Sequence, residues 1–162
     1  MSEAQITRYE MTQEGYDDLE AELEELSNVK MKEIAVKLGE AREQGDLSEN
    51  AEYDAAKNEQ SEIAGRIEKI KHMLKYAVVV KHDGKDKGKV AMGSIVKLMD
   101  MEFKDEMEYR IVGATEANSL KNKLSNESPV GRAIMGHKKG DTVKVETQAG
   151  VLKYKILDVK AK

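Results

Sequence analysis

The sequence predicts an α+β fold: a long antiparallel α-helical coiled-coil hairpin over residues 1–80, then a small antiparallel β-sheet domain with one short helix over residues 81–162. Three observations carry that prediction. Apolar residues recur at spacings of three and four on both sides of a glycine-containing break near residue 45, and after Tyr76 they give way to short runs punctuated by Gly and Asn. With 36% charged residues and 4% aromatic, the composition suits paired helices better than an all-β protein. The charge divides along the same line, with 10 Lys and Arg against 19 Asp and Glu in residues 1–80, and 17 against 12 in the remainder.

The first helix starts after Thr12, a suitable N-cap, in a run without proline. Its apolar seam falls at Tyr16, Leu19, Leu23 and Leu26, then resumes at Met31, Ile34, Leu38 and Ala41. That resumption is one residue out of phase, so a kink or local overwinding is expected near Lys30. The returning helix carries Ala56, Ile63, Ile67, Ile70, Leu74 and Ala77 in one uninterrupted heptad frame. Two matching seams joined by a short turn make an αα-hairpin. Roughly 30 residues at about 1.5 Å each give an arm on the order of 45 Å long. Ala41, Ala51 and Ala55 stand where leucines would otherwise fill the seam, which makes the end slim. Tight packing beside a turn and passage through a narrow channel both explain such residues.

The turn holds the chain's clearest chemical signal. Gly45 can end the first helix with positive φ, and Asp46 and Ser48 both suit the N-cap of the second. Glu49 follows Asp46 by three residues, the spacing of a capping box. The same spacing lets both carboxylates point outward from one helix face. Either arrangement satisfies the sequence. Two carboxylates fall far short of the octahedral oxygen shell that Mg²⁺ demands, but they can complete a site whose other ligands come from elsewhere.

After Tyr76, residues 77–80 predict a short buried strand, and residues 81–89, rich in Asp, Gly and Lys, a boundary loop. Further strands are expected at residues 94–99, 107–112, 142–147 and 151–159, the last two joined through Gln148-Ala149-Gly150. Residues 129–135 predict a short helix with Ser128 as its cap and Pro129 in its first turn.

Several classes of function are disfavoured. The absence of cysteine removes disulfides and thiolate metal sites. No apolar run is long enough for a transmembrane helix, and Met1-Ser2-Glu3-Ala4-Gln5 is no signal peptide, so a soluble cytoplasmic protein without a membrane partner is expected. The acidic first half argues against duplex DNA as the main partner, because that binding rests on clustered Lys and Arg. His72, His82 and His137 are too scattered for a metal site.

The stretch Glu40-Ala41-Arg42-Glu43-Gln44-Gly45-Asp46-Leu47-Ser48-Glu49-Asn50-Ala51-Glu52-Tyr53, continued by Ala55-Ala56-Lys57-Asn58-Glu59-Gln60, resembles the signature of the bacterial transcript cleavage factors of the GreA/GreB family. The likeness continues at Gly65-Arg66-Ile67, at Tyr109-Arg110-Ile111-Val112-Gly113 and at Ser128-Pro129-Val130-Gly131-Arg132-Ala133-Ile134-Met135-Gly136, so it spans nearly the whole chain. The resemblance implies a factor that binds RNA polymerase and passes its hairpin down the secondary channel. There it stimulates the polymerase's own cleavage of the extruded RNA 3′ end in backtracked complexes. It implies no enzyme activity of the chain alone, and no cofactor beyond Mg²⁺ shared with the polymerase.

By the same resemblance, Asp46 and Glu49 match the paired tip acids that assist the polymerase active site and share its metal. Ser48 and Asn50 beside them are expected to orient water or metal hydration; Arg42 and Lys57 match positions facing the RNA or the channel, and with Ser48 and Asn50 they make the expected RNA and channel contacts. An ion pair of Arg42 or Lys57 with Glu40 or Glu43 is the plain alternative. The C-terminal domain resembles the FKBP fold, with Ser128 and Pro129 docking at the channel rim or simply starting the helix. Few cations stand near the tip, which points to short backtracked RNA as the preferred target. Three rivals remain: a channel-binding inhibitor of the same architecture, a peptidyl-prolyl isomerase, and a coiled-coil chaperone. The isomerase is disfavoured because its pocket needs aromatics, and this half offers only Phe103, Tyr109 and Tyr154. A monomer is expected.

Overall fold

A computed structural model describes residues 8–43, 51–81 and 88–160 of the chain. They form two compact units, one of residues 16–43 and 51–76, the other of residues 8–15, 77–81 and 88–160. Asp46, Ser48, Glu49 and Asn50 lie outside the described residues, as do Gly45 and His82.

The helical unit is built from α1 (Gln13–Glu25), α2 (Met31–Glu43) and α3 (Ala51–Lys75). Between α1 and α2 the helix widens into a π-turn over Leu26–Lys30, in which the Met31 amide donates to the Leu26 carbonyl. This is where the seam slips by one residue. A π-turn takes up one extra residue, so the apolar stripe stays on one side through the slip. The distortion is therefore a widened turn and not an overwound one. Downstream of it Ile34, Leu38 and Ala41 are buried, as Leu19 is upstream.

Cross-helix pairs give the direction of the hairpin. Arg42 meets Tyr53, Lys37 meets Glu59 at 3.6 Å, and Arg66 holds Glu22 in a fork with contacts of 2.9 and 2.8 Å. Numbers falling on one strand of the hairpin as they rise on the other mark antiparallel helices. Ile34, Leu38 and Ala56 form a core cluster with Tyr53 and Ile63 packed on it. Each fully buried aliphatic side chain of this kind contributes about 1.5–3 kcal/mol. On α3 the buried residues are Ala56, Ile67, Ile70 and Met73, so Met73 takes the place expected of Leu74, which is only half-buried. Ala51 and Ala55 are exposed, and of the small residues it is Ala41 and Ala56 that occupy the seam.

In the other unit a five-stranded sheet has the order β5-β4-β3-β7-β6, from β3 (Ile95–Asp100), β4 (Glu106–Val112), β5 (Lys123–Ser125), β6 (Thr142–Thr147) and β7 (Gly150–Lys160). The pairings are antiparallel except β4 with β5, which is parallel. A purely antiparallel sheet was the expectation. The parallel neighbour is a three-residue strand that returns through a single 3₁₀ turn at Ser119–Lys121, too short to show a period in sequence. Alternate residues of β3 and β6 point Val96, Leu98, Val143 and Val145 into one core with Ile111, Tyr154 and Ile156. Helix α4 (Pro129–Ile134) covers it with Ile134.

The beginning of the chain joins the sheet-bearing unit. Strand β1 (Tyr9–Met11) pairs in parallel with β2 (Ala77–Val79), and Met11 is fully buried. The start of α1 is held within the same unit. Thr12 Oγ1 accepts from the Gly15 amide at 3.1 Å, as an N-cap does, and the Glu116 carboxylate accepts from the amides of Thr12 and Gly113, each at 3.0 Å. Arg110 pairs with Glu14. Gly113 is required by contact, since a Cβ there would lie 1.9 Å from the Glu10 carbonyl oxygen.

Candidate functional site

The site expected from the sequence centres on residues 44–50, which connect Glu43, the last residue of α2, to Ala51, the first of α3. Asp46, Ser48, Glu49 and Asn50 fall in that connection, outside the described residues. The structure places the residues on either side of it.

Arg42 stands in the last turn of α2 and is exposed. Its guanidinium carbon lies 6.0 Å from the centroid of the Tyr53 ring, and its side chain donates a hydrogen bond to the Tyr53 hydroxyl. Among the described residues its partner is thus Tyr53 and not Glu40 or Glu43. Tyr53 belongs to the first turn of α3, and Lys57 follows one turn later, also exposed. The Tyr53 phenol is held below its ordinary pKa, first by the hydrogen bond from Arg42 and then by the charges of Lys57 and Arg42 against the opposing effects of burial and Asp54. Two cations therefore act on one phenol beside the connection that carries the two acids. An anion drawn to this end of the hairpin would meet both.

Just behind this end, a cleft of about 290 Å³ opens between α2 and α3, lined by Lys37, Glu40, Ala41, Glu52, Ala55, Ala56 and Glu59. It exists because alanines occupy the seam where larger side chains would close it. Among the described residues no group of three or more His, Cys, Asp or Glu side chains is placed to hold a metal ion.

Ser128 and Pro129 behave as their types dictate at a helix start. The Ser128 hydroxyl accepts from the Gly131 amide at 3.1 Å and donates to the Ser125 carbonyl at 2.7 Å, while Pro129 opens α4 and is exposed. Capping employs the Ser128 side chain but leaves the Pro129 surface accessible. The aromatics of this unit are not gathered around a pocket. Tyr154 lies in the core with Tyr109 packed against it, and Phe103 is 68% exposed. The His72 ring meets Tyr76 at a tilt, with centroids 4.9 Å apart, and His137 pairs with Asp141 at 3.2 Å.

Tyr53 is the residue that sequence reasoning passed over. It stands inside the motif that resembles the GreA/GreB signature, yet only its contact with Arg42 across the hairpin sets it apart from a seam aromatic. The signal available in sequence was an aromatic four residues before Lys57 and close to the turn.

Comparison with known proteins covers both units. Residues 9–79 match the family described as "Transcription elongation factor, N-terminal", and residues 85–161 match "Transcription elongation factor, GreA/GreB, C-term". The chain is 55% identical over 149 residues to the transcription elongation factor GreA of Lachnoclostridium phytofermentans, covering 92% of this chain and 93% of that protein. It is 52% identical over 159 residues to GreA of Clostridium botulinum, covering 98% of each. Among solved structures, the GreA factor homolog Gfh1 of Thermus thermophilus is 29% identical, with 96% of this chain and 100% of that chain covered and a TM-score of 0.43. No helix among the described residues is long and apolar enough to cross a membrane.

Proposed function

The chain belongs to the GreA/GreB family of transcription elongation factors, and on that premise we propose that it binds RNA polymerase, inserts its hairpin through the secondary channel and stimulates cleavage of the extruded RNA 3′ end. Elongation then resumes from the new end. One observation carries the reading: α2 and α3 pair in antiparallel fashion with Ala41 and Ala56 in their seam, and the residues connecting them include Asp46 and Glu49.

The chemistry follows from the donor set. Two carboxylates are hard oxygen donors of the kind Mg²⁺ takes, and they are too few to hold it alone. Asp46 and Glu49 would therefore add ligands to a magnesium ion held mainly by the polymerase. Such an ion supplies Lewis acidity, lowering the pKa of a bound water and steadying the leaving oxygen. Ser48 and Asn50 would orient the hydration shell by hydrogen bonding. Arg42 and Lys57 would hold phosphates of the extruded strand. The chain is thus a contributor of ligands and no nuclease by itself.

The C-terminal unit has the docking task, with Ser128 and Pro129 at the polymerase rim. The FKBP-like reading of this domain rests on the sequence resemblance, supported by a five-stranded sheet that carries one short helix. Docking and not prolyl isomerisation is its part in this proposal, which has the protein acting in the cytoplasm as a monomer.

The test compares wild type with Asp46→Asn and Glu49→Gln on stalled, backtracked polymerase. Both variants should fold and bind while stimulating cleavage at least tenfold less, in line with the loss of a metal ligand or its support. Wild-type stimulation by both would remove the acids from the mechanism.

A further inference from the structure

We propose that Tyr53 is a positioning residue, which holds the Arg42 guanidinium across the hairpin so that this cation meets the phosphates of the extruded RNA. The inference rests on the functional reading above and adds to it a residue that touches neither metal nor RNA. Its basis is geometric. The Tyr53 ring packs against the cluster of Ile34, Leu38 and Ala56, whose exposures are 1%, 8% and 5%. Seam packing thereby fixes the ring.

Arg42 needs such a holder. It is exposed in the last turn of its helix, and an unrestrained arginine there carries large rotamer entropy that any phosphate contact must overcome. The ring lies 6.0 Å from the guanidinium carbon, at the edge of the cation–π range, and the phenol oxygen accepts a hydrogen bond from the same group. One accepted hydrogen bond leaves most of the five guanidinium N–H donors available for an anion. Lys57, one turn beyond Tyr53, acts on the same phenol. Tyr53 thus links the rigid seam to the charged end of the hairpin.

Two substitutions separate the parts of this role. Tyr53→Phe keeps the ring and its packing and removes the hydroxyl, whereas Tyr53→Leu removes the ring face too. Cleavage by backtracked polymerase is followed against the concentration of each variant. The saturating rate should fall roughly threefold for Tyr53→Phe and about tenfold for Tyr53→Leu. The concentration giving half the saturating rate should stay within about twofold of wild type, because docking is not touched. In an Arg42→Ala background the Tyr53→Phe change should cost nothing more, which a merely structural role would not produce.

Wild-type saturating rates in both Tyr53 variants overturn the proposal. So does a Tyr53→Phe loss that persists undiminished without Arg42. Asp46→Asn, assayed alongside, tells the two failures apart. If it is silent while the Tyr53 variants are normal, only the role of Tyr53 falls; if it stimulates as wild type does, the functional reading falls and takes this inference with it.

Discussion

The Met31 amide bonds to the Leu26 carbonyl five residues back instead of four, and this π-type contact coincides with the slip in the arm's heptad. A helix with one residue too many would rotate its apolar stripe by about 100° away from α3. The widened turn prevents that rotation. Removing the surplus residue should therefore be tolerated. Deletion of Asn28 brings Leu26 and Met31 into one continuous heptad, and the variant should melt at or above the wild-type temperature. Deletion of Val36, beyond the turn, should instead move Leu38 and Ala41 off the seam and cost about 2–4 kcal/mol. Thermal melts of the two deletions check the account, and the opposite ranking would contradict it.

Two helical glycines offer stability without a visible role. A Cβ at Gly39 or at Gly65 would meet nothing within 4 Å, and both are exposed on regular helix. Alanine at either position should raise stability by about 0.5–1 kcal/mol through the smaller entropy of the unfolded chain. Urea denaturation of each variant reads this directly, as a higher midpoint with unchanged slope.

Gly113 should behave in the reverse way. Its absent Cβ is what lets the Glu10 carbonyl pass, and the strand beside it carries the buried Met11. Gly113→Ala must push the first strand away from the loop after β4, at a cost of about 1–3 kcal/mol or more, since a backbone atom cannot rotate aside. Hydrogen exchange at Met11 and Thr12 should accelerate in this variant, and unaltered protection there would show that the contact gives way more easily than argued.

Tyr53 should ionise at lower pH than an ordinary phenol, whose value is 10.0. The hydrogen bond from Arg42 is the main cause. Because the folded-state pKa is the lower one, the resulting stabilisation is full only above the unfolded value and vanishes as the pH falls through the folded one. Ultraviolet titration of wild type minus Tyr53→Phe should give a step with its midpoint below 10.0, and Arg42→Ala should move that step upward. A midpoint unmoved by Arg42→Ala would argue against the contact.

What could be seen in the sequence depended on how many residues shared a period. The seams on α2 and α3 spanned many turns, so Ile34, Leu38, Ile67 and Ile70 were found together with the slip near Lys30. Strand β6 came out with its observed ends, because Val143 and Val145 alternate cleanly with polar neighbours. Strands β1 and β5 have three residues each and pair in parallel with distant partners, which leaves no local pattern. That is why the pairing of the chain's start with β2 was not foreseen, and both were placed with the hairpin in residues 1–80. At the site, Arg42 and Lys57 were legible as cations flanking an acidic turn. The Arg42–Tyr53 contact was not, since it depends on which residues of two helices come opposite one another.

The central claim is that Asp46 and Glu49 act as ligands to magnesium that the polymerase already holds. The most direct measurement is the Mg²⁺ dependence of cleavage by backtracked polymerase at saturating factor. Asp46→Asn and Glu49→Gln should each raise the half-maximal Mg²⁺ concentration roughly tenfold or more, whereas Arg42→Ala should lower the rate and leave that concentration in place. Identical Mg²⁺ curves for wild type and both acid variants would contradict the claim.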